Sequence, residues 1–530
     1  MKRFMSITLS SILLAGTLAA CSPGEEKASS SSSKDGKDSK FTISWFDGTW
    51  ENPVPEPGNE AVKQINEKFN VDFKPQYIPF DLYDDKLTVK MASGDIPDVI
   101  GTEGADTNYI KWSKQGAFLP LNDYVDKYET FKDIPQSVWD AVSVDGKKYG
   151  IPLYFPSKGG KKPVIRQDWL DKLGLTMPTN FDELKEVAIA FATKDPDGNG
   201  KNDTVGLGLA KGMAYDPSFG AYWGNSWYHE NKDGQLIPGQ ISEGSKEKVT
   251  YLYEMFKAGA IDKDWAIKPY NDVFKDFNAG KVGIWYEQPG NDKGSQPNNL
   301  DLATLRKTAP DAEIAAIPPF VAPDKSQGFV GGSGYYRIWM LSSKLKDDPK
   351  KVEKILEMMD YMAKYVPADQ QTPDNEYFDW IMGGNGKGYN IVDGAPQLTE
   401  EFSKFAPIAL FNQKQGGWNM DNQAMKDYVT QSKAPEAKEF NTLMGDMLSN
   451  ADFYVSPVGR IHSDAYNEKN AALTEYATNE LTKMVVGQRP ISDWDKYVDE
   501  YLAKGGKDVI EDVNKLIKES NIKAEWVKAK

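Results

Sequence analysis

From Phe41 onward the chain switches between two hydrophobic rhythms. FTISWF (Phe41–Phe46) alternates and is rich in β-formers, so it reads as a strand. After a loop, DGTWENPVPEPGN, residues Ala61, Val62, Ile65 and Phe69 fall at helical spacing. VDFKPQYI is a second strand, and Leu82, Leu87, Val89 and Met91 mark a second helix closed by Gly94. DIPDVIGTEG then reads as a short buried strand and a turn. The order β-α-β-α-β predicts a right-handed parallel arrangement with helices outside. In such sheets a ligand sits beyond the carboxyl ends of the strands, which here deliver Asp47–Trp50 and Thr102–Gly104.

A second α/β region begins near Pro152. In MPTNFDELKEVAIAFATK, Thr179 is expected as the N-cap with Asp182 three residues on, and Phe181, Leu184, Ala188 and Phe191 as the apolar stripe. DVFKDFNAGKVGIWYEQPG reads as helix, glycine turn and a strand ending at Trp285–Tyr286. IAAIPPFVAPD and GFVGGSGYYRIWML read as extended segments that cross back to the first region. Asp348 caps a helix with Pro349 at its first position; Val352, Ile355, Leu356 and Met359 mark its face. The last third is mostly helical, with Trp494, Tyr497, Val498, Tyr501 and Leu502 on one stripe, and Trp139 and Trp494 are assigned to the core. No internal repeat is visible.

The amino-terminal 40 residues break both rhythms. Lys2 and Arg3 precede an apolar run, Ile7–Leu14, too short for a membrane span. The run ends in Leu18-Ala19-Ala20-Cys21, with the chain's single cysteine at the last place. This resembles the lipobox of bacterial lipoproteins. Residues 1–20 are then expected to be a signal peptide, and Cys21 the site of lipidation that anchors the protein to the extracellular face of the cell membrane. Apart from Pro23, residues 22–40 contain no apolar side chain larger than alanine and read as a flexible tether.

Charge and composition narrow the chemistry. A net charge of −15 disfavours nucleic acid and anionic lipid as partners. One cysteine excludes internal disulfides and cysteine-based zinc sites. The two histidines, His229 and His462, lie in WYHENK and RIHSDA, neither a recognisable nucleophile context, and no HExxH occurs.

DPDGNGKNDT carries a candidate metal loop. Asp195, Asp197, Asn199, Lys201 (through its carbonyl) and Asp203 occupy positions 1, 3, 5, 7 and 9 of an EF-hand-like loop, with Gly200 at position 6. Hard oxygen donors of this kind suit Ca²⁺, expected in a structural role. The pattern departs at position 12, where Gly206 stands in place of a bidentate glutamate.

Taken with the lipobox, MASGDIPDVI, PTNFDEL, FNAGKVGIW and VVGQRPISDWDKYVDEYLAKGG occur in order along the mature chain. Together they resemble the extracellular solute-binding proteins of ABC sugar importers, in particular the large oligosaccharide receptors such as the alginate-binding proteins. The resemblance implies an α/β, two-lobed periplasmic-binding-protein-like (type II) fold with the ligand cleft between the lobes. Residues 41–152 with 318–370 would form one lobe, and 153–317 with 371–530 the other. It further implies a monomer that captures an oligosaccharide and delivers it to ABC permease subunits, without being an enzyme. In related receptors a glutamate is implied directly after the last aspartate of the metal loop; here that place holds Thr204.

A sugar presents an apolar C–H face, which aromatic rings cover, and a rim of hydroxyls, which carboxylates, amides and arginines bracket. The chain has 14 tryptophans, several near strand or loop ends. The candidates are Trp50, Glu103, Tyr154, Phe155, Trp223, Trp227, Trp285, Tyr286, Tyr335, Tyr336, Arg337 and Trp418, with Tyr228, Arg166 and Glu287 also placed to contribute. Two alternatives stay open: a binding protein for a peptide or other non-sugar solute, and a surface-anchored polysaccharide-degrading enzyme using two of the 78 acidic residues.

Overall fold

In the computed structural model, residues 40–49, 54–213, 220–290, 300–392, 394–412, 417–418, 421–432 and 434–529 are described. Trp50, Cys21 and the segment before residue 40 lie outside them. The strands that position the site are β1 (Phe41–Thr49), β2 (Val71–Pro79), β3 (Val99–Thr102), β4 (Gly150–Tyr154), β5 (Lys162–Arg166), β6 (Val205–Leu207), β7 (Val282–Glu287), β8 (Ile314–Ala316), β9 (Phe329–Val330), β10 (Tyr335–Leu341), β11 (Phe453–Val455) and β12 (Glu525–Val527).

A five-stranded sheet runs β2-β1-β3-β10-β4. Its first three strands are parallel, with Phe41 opposite Val71 and Trp45 opposite Val99, as the β-α-β-α-β pattern requires. β10 enters antiparallel between β3 and β4 after a long excursion of the chain, pairing Ile338 with Thr102 and Trp339 with Ile151. The extended reading of GFVGGSGYYRIWML is therefore correct, and its second half is a central strand. Trp45, Phe73, Trp339 and Phe411 interlock at this core, with ring centroids 5.1–5.8 Å apart. The same core takes Val352, Ile355, Leu356 and Met359, the predicted face of the helix Pro349–Met362, and runs on through Phe378 to Phe411.

The second sheet is β8-β5-β7-β6. β7 is antiparallel to β5 and parallel to β6. Its core gathers the helices Phe181–Thr193, Glu243–Lys257 and Asp464–Val485, together with Trp494, Tyr497 and Tyr501 of the predicted carboxyl-terminal stripe. A third, three-stranded sheet, β9-β11-β12, has its own small cluster of Phe329, Met425, Leu448 and Phe453.

Two local expectations change. Asn180, not Thr179, caps the helix Phe181–Thr193, its side chain accepting the Glu183 N–H at 3.0 Å. Thr179 donates its N–H and hydroxyl to the Glu183 carboxylate at 2.8 Å, so the reciprocal partner is Glu183 rather than Asp182. In the helix Phe80–Ser93, Leu82 and Val89 are exposed and Tyr83 takes the core place, its hydroxyl donating to the Gly101 carbonyl at 2.7 Å. The aromatic at position 83 outcompetes the two aliphatics because it offers more area and a satisfied polar end. Among the described residues no helix is long and apolar enough to cross a membrane.

Candidate functional site

The Asp195 loop leaves the helix Phe181–Thr193 directly, and three acidic side chains in it gather around Asn199 and Gly200. Asn199 Nδ2 donates to Asp197 at 2.7 Å and to Asp203 at 3.0 Å, while Asp195 accepts the N–H groups of Asn199 and Gly200 at 3.1 and 3.0 Å. A hydrogen bond shared with Asp197 and the backbone donors hold the Asp195 carboxyl below its usual range. Desolvation, and the shared bond with Asp195, push Asp197 up. Two carboxyl groups this close together form a site short of positive charge. Asn199 supplies part of it through its amide nitrogen; rotating that amide would present its oxygen instead. The donors, all hard oxygens, fit Ca²⁺ chemically. As arranged, however, no three acidic or histidine groups among the described residues form a cage for a metal.

The missing twelfth-position ligand has a packing cause. Gly206 lies in β6, and a Cβ there would run into the Ala188 carbonyl of the preceding helix. Thr204 is buried and donates its hydroxyl to the Phe191 carbonyl at 2.7 Å. The loop's end is thus spent on docking a strand against a helix, leaving no room for a glutamate to reach back.

A cavity of about 480 Å³ opens between the first core and the third sheet. One wall is Val138 and Ala141 of the helix Gln136–Val142 with Tyr154 at the end of β4; the opposite wall is Val455 to Arg460; the crossing segment Gly331–Gly334 lies between them. Trp418 stands edge-on to Tyr154, with ring centroids 5.5 Å apart. Asp421 fastens this corner. It accepts the Tyr154 hydroxyl at 3.0 Å, the Lys158 N–H at 3.1 Å and the Ser157 hydroxyl. Lys158 Nζ donates to Asn422 at 2.9 Å. Burial, reinforced by Asp421, pushes the Tyr154 phenol well above its ordinary value, so it stays a neutral donor at all physiological pH.

Of the sequence candidates, Tyr154 and Trp418 line this cavity. Tyr335 lies opposite Tyr154 in the sheet, and Tyr336 packs on Phe155 with ring centroids 5.8 Å apart, its hydroxyl donating to the Asn412 carbonyl. Arg337 is fully buried in an ion pair with Asp47; Glu103, half exposed, lies 3.9 Å from its far nitrogen. Trp223, Trp227, Trp285 and Tyr286 are in the second core. Trp285 is 1 % exposed, its centroid 5.5 and 5.6 Å from those of Tyr270 and Phe274. Tyr228 hydrogen-bonds Asp324 at 2.5 Å. Arg166 grips Asp168 at 2.7 and 2.6 Å, and Glu287 is fully buried, accepting the Gln288 N–H at 2.8 Å.

Four charged residues of the cavity carry little sequence signal. Lys158 sits in SKGGKK, a charge run of the kind that normally marks a solvated turn. Asp421 follows Trp418 by three residues and could have been found from it. Arg460 and Glu525 are far apart in sequence and meet only through the pairing of β11 with β12.

Comparison with known proteins agrees with this architecture. Lipoprotein LipO of Bacillus subtilis (strain 168) is 26% identical over 532 residues, covering 98% of this chain and 99% of its own. The polygalacturonan/rhamnogalacturonan-binding protein YtcQ of the same organism is 25% identical over 523 residues, covering 96% and 97%. The ABC-transporter substrate binding protein FusA of S. pneumoniae, solved in complex with kestose, superposes with a TM-score of 0.63 at 18% identity over 91% of this chain and 99% of its own. FusA has also been solved as an EF-hand mutant. The sequence profile of the bacterial extracellular solute-binding proteins matches residues 49–365, more than half the chain, and the protein belongs to that family.

Proposed function

We propose that this protein is a lipid-anchored receptor that captures an oligosaccharide between its lobes and delivers it to the permease of an ABC transporter. The observation that carries the reading is the cavity itself. An aromatic corner, Tyr154 and Trp418, faces a polar rim containing Asn422, Arg460 and Glu525, which is what a sugar's apolar face and hydroxyl edge require. The names of YtcQ and FusA support a carbohydrate ligand. Its role is binding rather than turnover, Cys21 carries the anchor, the protein works as a monomer, and a sugar touching both walls favours the closed arrangement that a permease would recognise. The lobe division at 41–152 with 318–370 and 153–317 with 371–530 is kept as the working boundary; the first core's reach to Phe411 favours assigning the segment 376–411 to the first lobe.

Ca²⁺ would be held by Asp195, Asp197, Asn199, Asp203 and the Lys201 carbonyl, where it would neutralise the crowded carboxylates and pin the loop. It takes no part in binding sugar. Chelation is expected to lower the melting temperature while leaving sugar affinity unchanged; loss of affinity at an unchanged melting temperature would remove the structural role.

The test of the main reading is a thermal-shift screen of neutral oligosaccharides, uronic-acid oligomers and peptides, with small-angle scattering on any hit. A ligand at a hundredfold excess over its Kd stabilises by about 2.7 kcal/mol. A sugar hit with compaction supports the proposal; a peptide hit alone, or release of new reducing ends from a polysaccharide, replaces it.

A further inference from the structure

The cavity is not closed by the helix Gln136–Val142 and the crossing segment alone. Its floor is the carboxyl-terminal strand β12, which pairs antiparallel with β11 and places Val455 opposite Glu525. The strand is held in place by more than its ladder. Trp526 packs against Tyr454, with ring centroids 5.6 Å apart, and leaves no space for a side chain at Gly328. The Ala529 N–H and Lys528 Nζ both donate to Asp452, at 2.8 and 2.7 Å. A chain end fixed this firmly against a cavity is part of its wall.

β12 also brings a charge. Glu525 accepts a single hydrogen bond from Arg460 Nη2 at 3.1 Å. The Glu525 side chain is 56% exposed and Arg460 17%, and both line the cavity. Among the described residues neither makes a second side-chain hydrogen bond. The pair therefore presents donors on one side and acceptors on the other, the complement of two neighbouring hydroxyls. A guanidinium left alone would instead offer its fork to a carboxylate.

The other cations of the cavity are committed as well. Lys158 is bound to Asn422 beside Asp421, and Lys528 to Asp452. Each of the three cations lining the cavity (Lys158, Arg460, Lys528) thus already has an acceptor, Asn422, Glu525 and, just outside the lining, Asp452, so none stands uncommitted for an acidic sugar. We infer that the carboxyl-terminal strand belongs to the ligand site, and that Glu525, by occupying Arg460, makes the cavity select neutral oligosaccharides over uronic-acid oligomers. The inference rests on the oligosaccharide-receptor reading.

Calorimetric titration of the full mature chain tests it, with neutral fructan, glucan and mannan trisaccharides and with trigalacturonate. The unaltered protein is expected to bind one of the neutral probes more tightly than trigalacturonate. Glu525→Gln is expected to weaken the neutral probe about tenfold and to strengthen trigalacturonate several-fold, because Arg460 is released. Arg460→Gln should weaken the neutral probe and give trigalacturonate no gain. Melting temperatures of both variants separate a folding defect from a change of selectivity, and a variant that unfolds is replaced by Glu525→Asp, expected to shift the same ratio by a smaller factor. Tighter binding of trigalacturonate by the unaltered protein, or an unchanged neutral-to-acidic ratio in the folded Glu525 variant, overturns the inference while leaving the receptor reading intact. Failure of every oligosaccharide to bind removes both.

Discussion

Two buried cations lie where the chain passes between the sheets, and the protein treats them in opposite ways. Arg337, on the strand returning to the first sheet, is fully buried against the Asp47 carboxylate. Asp47 also accepts the Trp339 indole N–H at 3.0 Å, the Gly48 N–H at 2.8 Å and the Asn412 amide at 3.3 Å. The guanidinium lies 4.6 Å from the Phe80 ring centre and 5.6 Å from that of Tyr83. Lys162, which opens β5 on the way to the second sheet, is 8% exposed and has no carboxylate partner among the described residues. Its ammonium reaches only the Gly159 carbonyl, at 3.2 Å, and the Phe329 ring, at 5.2 Å. Burial lowers its pKa to about 8. An arginine cannot shed its proton, so the fold must build it a counter-charge; a lysine can, so the fold leaves it poor.

Removing the counter-charge is the sharpest way to break this contrast. Asp47→Asn strands a buried guanidinium and is expected to cost about 3–5 kcal/mol in chemical denaturation. The double variant Asp47→Asn/Arg337→Met should recover more than half of that loss, since nothing charged is then left unpaired. A double variant no more stable than the single one would show that the network matters through shape alone.

Lys162→Met asks the opposite question. The gap between about 8 and the ordinary 10.5 is worth on the order of 3 kcal/mol, so the substitution is expected to stabilise the protein by up to that much at pH 7. The sign of the pH dependence follows. Between about pH 8 and 10.5 the unfolded chain holds the proton that the folded one has released, so stability rises with pH across that window. The rise should be present in the unaltered protein and absent in Lys162→Met; denaturation curves of both at pH 7, 9 and 10.5 check it. Equal slopes would mean that the ammonium finds a partner in solution.

The smallest effect refines the arginine half. Trp339→Phe keeps an aromatic ring near Trp45 and Phe411 but deletes one hydrogen bond to the Asp47 carboxylate, with an expected loss of about 2 kcal/mol. A loss as large as that of Asp47→Asn would move the weight of the network from the ion pair to the indole.

These contacts also show where sequence reading succeeds and where it stops. The parallel first sheet was legible because its strands and helices alternate in rhythm within 62 residues, Phe41 to Thr102. The helix from Pro349 was legible because an aspartate cap and a proline stand before a clean stripe. Trp285 drew attention as a strand-end aromatic, but every residue of β7 is buried, and when both faces are covered the alternation no longer says which one a side chain meets. The Asp195 loop was legible at each oxygen-bearing position. What stopped it at Gly206 is the approach of another backbone, which no local pattern records. The partnership of Arg460 with Glu525, 65 residues apart in the chain, depends on β11 and β12 finding one register.

The place of β10 has a consequence for how the molecule comes into being. It stands between β3 and β4, so those two earlier strands never touch and have no neighbour on that side until Leu341 has arrived. A chain emerging from its amino terminus cannot close the first sheet until 341 of its 530 residues are available. Up to that moment the half-built sheet keeps two open edges, the species most exposed to mispairing and most dependent on a holding chaperone. The strand that completes the first sheet is thus also the timer that postpones its folding.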